Sequence, residues 1–264
     1  PIAADDALGR RLRRLSDTPG DTAGFASFAD SEGFSLIYQS PDELNSDRLG
    51  VYLLNLTRAG AFAAQEEPTT PLLKSGRYVV ATLLEHESTA ISALSAVWSG
   101  GAYYLLRQAP GDDLHDRLQW LRLHADGAID ESFGVAGVRE RPTTFLVLGC
   151  EMLWTGNDRL ISAANDALGG ITLHLHDALG APVADFGTGG AAALVDNVTV
   201  HDRITPQLGF FTAPAFHLVV AYGTTQAGVL QLRQQRVNRL GVRVGTAVNL
   251  ARADGVARHD WFQY

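Results

Sequence analysis

Leu123-His124-Ala125-Asp126-Gly127-Ala128-Ile129-Asp130-Glu131-Ser132-Phe133-Gly134-Val135-Ala136-Gly137-Val138 reads as a strand end, a polar turn closed by glycine, a short strand, then Phe-Gly and a glycine-rich loop. The series returns, degraded, at Leu175-His176-Asp177-Ala178-Leu179-Gly180-Ala181-Pro182-Val183-Ala184-Asp185-Phe186-Gly187-Thr188-Gly189-Gly190. A repeat decides the architecture before any single residue does, because each copy is one supersecondary unit that buries its apolar face only against its neighbours. It decides function far less, since repeat scaffolds host unrelated activities.

Working outward from these copies, five segments share an apolar-alternating strand leading into a glycine-containing turn: 8–20, 49–60, 118–127, 170–180 and 229–241. Their turn glycines, Gly20, Gly60, Gly127, Gly180 and Gly241, are spaced as in a propeller blade or similar β-repeat. Hairpins with their own turn signals accompany them at 28–37, 97–105, 153–161, 210–219 and 250–259. Each unit therefore predicts four antiparallel strands. The expected fold is a single all-β domain, a five-bladed β-propeller with units near 21–65, 90–140, 144–190 and 208–245, and a last blade of 246–264 completed by 1–20. Pairing the two terminal segments removes an exposed sheet edge. An open β-repeat or a different blade count is the alternative. Leu114, Leu118 and Leu121 fall at near-helical spacing, but the aligned repeats assign 112–124 to a loop entering a strand. The stretch between Pro68 and Thr89 is irregular, an inserted excursion or an extra strand.

The run from Arg122 to Val138 resembles the delta-60 repeat of bacterial proteins, carried here by Asp126, Gly127, Asp130, Ser132, Phe133, Gly134 and Gly137. The second copy keeps Gly180, Asp185, Phe186, Gly187, Gly189 and Gly190. The likeness is specific over about two of the five units. It implies a propeller-like β-repeat and no catalytic residues. Physics agrees: glycine supplies positive φ in tight turns, Asp126 and Asp130 are placed to cap turn amides, and Phe133 and Phe186 plug the gap between neighbouring blades.

The chain of 264 residues is 46% hydrophobic and 19% charged, which is a globular composition. A net charge of -8 argues against a nucleic-acid partner, whose binding rests on Lys and Arg. The one basic run, Arg10-Arg11-Leu12-Arg13-Arg14, reads as a strand with solvated charges. Cys150 is the sole cysteine and sits in an apolar run, so no intramolecular disulfide forms and a buried inert thiol is expected. No apolar stretch is long enough to span a membrane, and no signal peptide is visible in this chain. The compartment is left open: cytoplasmic, or secreted by a route not visible in the sequence.

Nucleotide, serine-elbow and zinc-helix motifs are absent. His174 and His176 are two apart on a strand and so share a face, which makes them weak metal candidates with no evident third ligand; half-exposed strand histidines are the plainer expectation. Leu84-Glu85-His86-Glu87 has the same standing. The acidic loops, with Asp42, Glu43 and Asp47 in one and Asp112, Asp113 and Asp116 in the next, suit Ca²⁺ or plain solvation. Five-bladed propellers also host glycosidases, which need two carboxyl groups at a set separation, and Glu151 is the exceptional acid on an inner strand. The recurring aromatic is the sharper signal. Trp98, Trp154 and Phe211 each precede an inner hairpin turn, the second beside Asn157 and Asp158. Aromatics beside polar turn groups can stack on a sugar ring while amides and carboxylates bond its hydroxyls. The expected function is a non-enzymatic binding module for a glycan or protein ligand, with no cofactor. The runner-up is a glycoside-active enzyme using Glu151 and a loop acid. A third reading is an interaction domain of a larger secreted or virulence-associated chain.

Overall fold

The computed structural model describes residues 23–29, 33–41, 49–57, 73–74, 77–79, 94–110, 116–125, 127–143, 147–156, 158–166, 170–194, 199–200, 205–211, 217–226 and 229–253. Every regular element among them is a β-strand, as the alternation predicts. No helix among them is long and apolar enough to cross a membrane. The chain divides into two compact units, Pro1–Ile91 and Ser92–Tyr264.

The first unit holds β1 (Ala23–Ala29), β2 (Gly33–Pro41), β3 (Leu49–Thr57), β4 (Leu73–Lys74) and β5 (Arg77–Val79), in one antiparallel sheet ordered β1-β2-β3-β5-β4. The hairpin expected over 28–37 is the β1–β2 connection, with Phe28 opposite Ser35. The irregular stretch after Pro68 contributes β4 and β5, and β5 pairs with β3 at Tyr52 and Val79, so the extra-strand alternative is the one adopted.

The second unit contains three more antiparallel sheets. The second sheet runs β6 (Leu94–Ser99), β7 (Ala102–Pro110), β8 (Asp116–His124) and β9 (Val138–Pro142), neighbour to neighbour. The Gly100-Gly101 turn joining β6 to β7 has φ of 58 and 76°, the positive pair that matches a two-residue turn to strand twist. The third sheet runs β10 (Val147–Trp154), β11 (Arg159–Asp166), β12 (Ile171–Asp177) and β13 (Ala191–Ala193). The fourth comprises β14 (Thr199–Val200), β15 (Gln207–Phe211), β16 (His217–Gln226), β17 (Val229–Asn238) and β18 (Arg243–Ala253), with β14 and β15 both on β16.

Leu250 to Ala253, expected to open a fifth hairpin, lie on the outer strand of the fourth sheet, where Leu230 pairs with Ala253, and the rest of that hairpin, 254–259, lies outside the described residues. After Gly241 the sequence lacks a Phe-Gly segment, so the chain returns directly along β17 as one long strand. The described residues therefore form four sheets. Of the segments to which the closing of a ring was assigned, 246–264 and 1–20, residues 254–264 and 1–20 lie outside the described residues.

Within the second unit the sheets stack face to face. Tyr104, Leu106, Trp120 and Phe133 of the second sheet bury against Cys150, Met152 and Leu160 of the third. Ile161, Leu173, Leu175 and Phe186 on the third sheet's other face bury against Leu218, Val220, Tyr222 and Val237 of the fourth. Removal of this apolar surface from water is the main stabilising force.

The sequence repeat appears here as a clasp between sheets. His124, Asp177 and Asn238 begin equivalent turns that Gly127, Gly180 and Gly241 close by donating back to their carbonyls at 2.9, 3.1 and 3.0 Å. Asp177 Oδ1 accepts the amides of Leu179 and Ala181, and Asn238 Oδ1 those of Leu240 and Val242, all at 2.9–3.0 Å. Each Phe-Gly grips the next sheet's turn. Gly134 N–H donates to the Leu179 carbonyl at 2.9 Å, and Gly187 N–H to that of Leu240 at 2.8 Å. The Phe133 ring lies so close beneath Gly180 that a Cβ there would come within 2.8 Å of Cζ. As expected, Asp130 caps its turn: Oδ1 accepts Ser132 N–H at 3.0 Å, Oδ2 pairs with Arg122 Nη1 at 3.3 Å, and the hydrogen bonds from Ser132 chiefly hold its pKa below the usual carboxylate value. Asp126 lies outside the described residues.

Candidate functional site

The β6–β7 and β10–β11 hairpins bring their aromatics to one end of neighbouring sheets. Trp98 sits opposite Tyr103, and Trp154 opposite Leu160, which occupies the place of Tyr103 in the next sheet. Both indoles are half-buried. Trp98 packs on Tyr103 with ring centroids 4.4 Å apart, and Trp154 packs across the sheet interface on Tyr104 at 5.1 Å. Each ring is thus held from one side by tyrosine and keeps an accessible part. Beyond Trp154 the turn is closed by Thr155 N–H donating to the Arg159 carbonyl at 3.0 Å. Asp158 is exposed and left-handed, with φ 55°, while Asn157 lies outside the described residues.

Phe211 is not the third member of this series. In register it faces His217, whereas Phe210 faces Leu218, the counterpart of Leu160. Phe210 therefore takes the strand position of Trp98 and Trp154, and Phe211 falls one register step beyond it. Sequence reasoning missed Tyr103 and Tyr104, although an adjacent tyrosine pair one residue after the Gly100-Gly101 turn was a visible signal.

Glu151 lies on β10, the edge strand of the third sheet, opposite Ala163. Burial raises its pKa to about 7. Two residues away on the neighbouring strand, Asn165 is 1% exposed, with neither Oδ1 nor Nδ2 hydrogen-bonded among the described residues. A Cβ at Gly149 would come within 2.8 Å of Asn165 Oδ1 and 2.9 Å of Thr205 Oγ1, so only glycine leaves that polar niche open. The loop acids that would complete a carboxylate pair, Asp42, Glu43, Asp47, Asp112 and Asp113, lie outside the described residues, and so does any Ca²⁺ site built from them; Asp116 begins β8. Because the folded pKa of Glu151 exceeds the unfolded value, its contribution to stability is full below about pH 4.5 and is lost as pH rises through 7. Glu151→Gln will therefore raise unfolding free energy at pH 8 by about 1–3 kcal/mol and leave it unchanged at pH 4, as read by urea titration. Equal effects at both pH values would refute the assignment.

His174 and His176 share a face of β12, as their spacing requires, with rings 6.3 Å apart and 13° from parallel. They are buried, at 3% and 4% exposure, because this sheet is covered on both faces, and not half-exposed as expected. Trp120 lies against both, at 5.2 and 4.6 Å, and donates its indole N–H to Ser162 Oγ at 3.2 Å. Arg141 Nη1 lies 3.4 Å from His174 Nδ1; a guanidinium only donates, so Nδ1 accepts. Burial, assisted by arginine, depresses the two pKa values to about 3 and about 4. Among the described residues no group of three metal-ligating side chains forms, and the guanidinium opposes a cation beside the pair. Cys150 is 2% exposed, and burial pushes its thiol pKa up, consistent with an inert core residue.

No known protein family matches this chain, and no curated protein matches its sequence.

Proposed function

We propose that the chain is a non-enzymatic binding module, a single β-propeller domain of the delta-60 type whose blades are the sheets described above, closed by its terminal segments, and that it presents the hairpin end bearing Trp98 and Trp154 to a glycan. One observation carries the reading: two consecutive sheets set a half-buried, tyrosine-backed indole at the same end, the second beside the exposed turn residue Asp158. An indole fixed from behind stacks on the apolar face of a pyranose at little entropic cost, and the neighbouring turn supplies hydrogen-bonding groups.

A glycan array probed with the purified chain tests it. Binding should fall at least about tenfold in Trp98→Ala/Trp154→Ala while the protein keeps its fold. Binding that survives the double substitution, or no binding to any glycan, would overturn the sugar reading and favour a protein ligand. The runner-up, a glycoside-active enzyme, is favoured by the Glu151 pKa, which suits a general acid near neutrality. The same preparations assayed on aryl glycosides separate the two, since only the enzyme shows turnover that Glu151→Gln abolishes.

A further inference from the structure

The interface between the third and fourth sheets contains a cleft of about 310 Å³. Ile161, Leu175, Phe186 and Leu218 form its apolar floor, each no more than 6% exposed, and the exposed Arg159 and Arg239 stand at its rim. The repeat explains the opening. Strand register equates Ile161 with Tyr104 and Leu175 with Arg122, since Tyr104–Arg122 and Ile161–Leu175 are the same cross-strand pair in successive sheets. Between the second and third sheets that pair fills the gap: the Arg122 guanidinium lies 5.5 Å over the Tyr104 ring, and Trp154 packs on the same ring. Replacing Tyr by Ile and Arg by Leu withdraws this bulk while leaving the floor phenylalanine in place. The rim changes in the opposite direction. Arg159 and Arg239 stand where the preceding interface has Ala102 and Ala178.

An apolar floor with two added cations suits one ligand chemistry. Neither guanidinium forms an ion pair with another described residue. Asp177, opposite Arg159 in register, has Oδ1 committed to the amides of Leu179 and Ala181. In a chain of net charge -8, two arginines at a cleft mouth with no ion-pair partner among the described residues are a local reversal of sign. With a water occupying about 30 Å³, the cleft has room for on the order of ten non-hydrogen atoms.

We propose that this cleft binds a small amphipathic monoanion, its aliphatic or aryl body on Ile161, Leu175, Phe186 and Leu218 and its carboxylate held by Arg159 and Arg239. The site is independent of the glycan reading: it lies in a different interface from the Trp154–Tyr104 contact, and its ligand is not a sugar.

Decanoate titrated into the full chain by calorimetry, with decanol and decyltrimethylammonium as neutral and cationic controls, tests the proposal. Decanoate is expected to bind at least about tenfold more tightly than either control. Arg159→Ala/Arg239→Ala should remove that preference, and both side chains are exposed, so the fold is retained. Ile161→Tyr/Leu175→Arg, which restores the side chains of the preceding interface, should abolish binding altogether; circular dichroism checks that this variant is folded. Trp98→Ala should leave decanoate binding unchanged, which separates this site from the glycan face. Equal affinity for decanoate and decanol, a double arginine variant that binds as wild type, or no decanoate binding up to about 1 mM would each overturn the proposal.

Discussion

Phe133→Ala will lower the free energy of unfolding of the second unit by about 3–5 kcal/mol, the range for truncating a fully buried phenylalanine. The ring is 0% exposed and meets Tyr104 edge-on at 6.1 Å. It also fills the space beneath Gly180, where nothing larger than glycine fits above it. Removal leaves a cavity between two sheets and loosens the turn held by the Gly134-to-Leu179 hydrogen bond, so the local structure cannot simply collapse onto the gap. Phe186→Ala, at the equivalent place one sheet later and 2% exposed, should cost a similar amount. The two rings belong to different interfaces, so the losses should add in the double variant to within about 0.5 kcal/mol. Urea denaturation followed by tryptophan fluorescence measures this. A loss below about 1 kcal/mol for either ring would show that the clasp does not hold the sheets together.

Acid will weaken the fold through the buried histidine pair. The folded pKa values of His174 and His176, about 3 and about 4, lie below the ordinary value of 6.5, so the unfolded chain binds the additional protons. Their stabilising contribution is complete above about pH 6.5 and is lost as pH falls toward 4 and then 3. From pH 6.5 to 5 each imidazole should remove about 1.6 kcal/mol. Glu151 titrates in the opposite sense over part of this range, so the difference between variants is the diagnostic quantity. Leu121 and Leu123 occupy the equivalent positions in the preceding sheet, which makes His174→Leu/His176→Leu the natural comparison. That variant should lose about 3 kcal/mol less than wild type between pH 6.5 and 5. Parallel pH profiles for the two proteins would refute the linkage.

The parts of the fold that were legible are those written in turn chemistry. Gly127, Gly180 and Gly241 close equivalent turns, and Phe133 and Phe186 plug neighbouring interfaces, because left-handed glycines, amide-capping side chains and buried rings each demand a particular residue type. Register was less legible. Phe210 and Phe211 are both aromatic, and only the pairing of β15 with β16 tells which one matches Trp154. The fate of Leu250–Ala253 was hidden for a related reason: alternating apolar residues describe an inner hairpin and a long outer strand equally well. Burial of His174 and His176 required knowing that a second sheet covers their face. The cleft was least visible, since it is a deficit of side-chain volume that emerges only when the Tyr104–Arg122 and Ile161–Leu175 pairs are superposed.

The clasps all point the same way along the chain. Gly134 of the earlier sheet engages Leu179 of the later one, and Gly187 in turn engages Leu240. Among the described residues of the second unit the turn of each later sheet is thus held by the Phe-Gly segment of the sheet before it, which gives the stack a polarity that follows the chain.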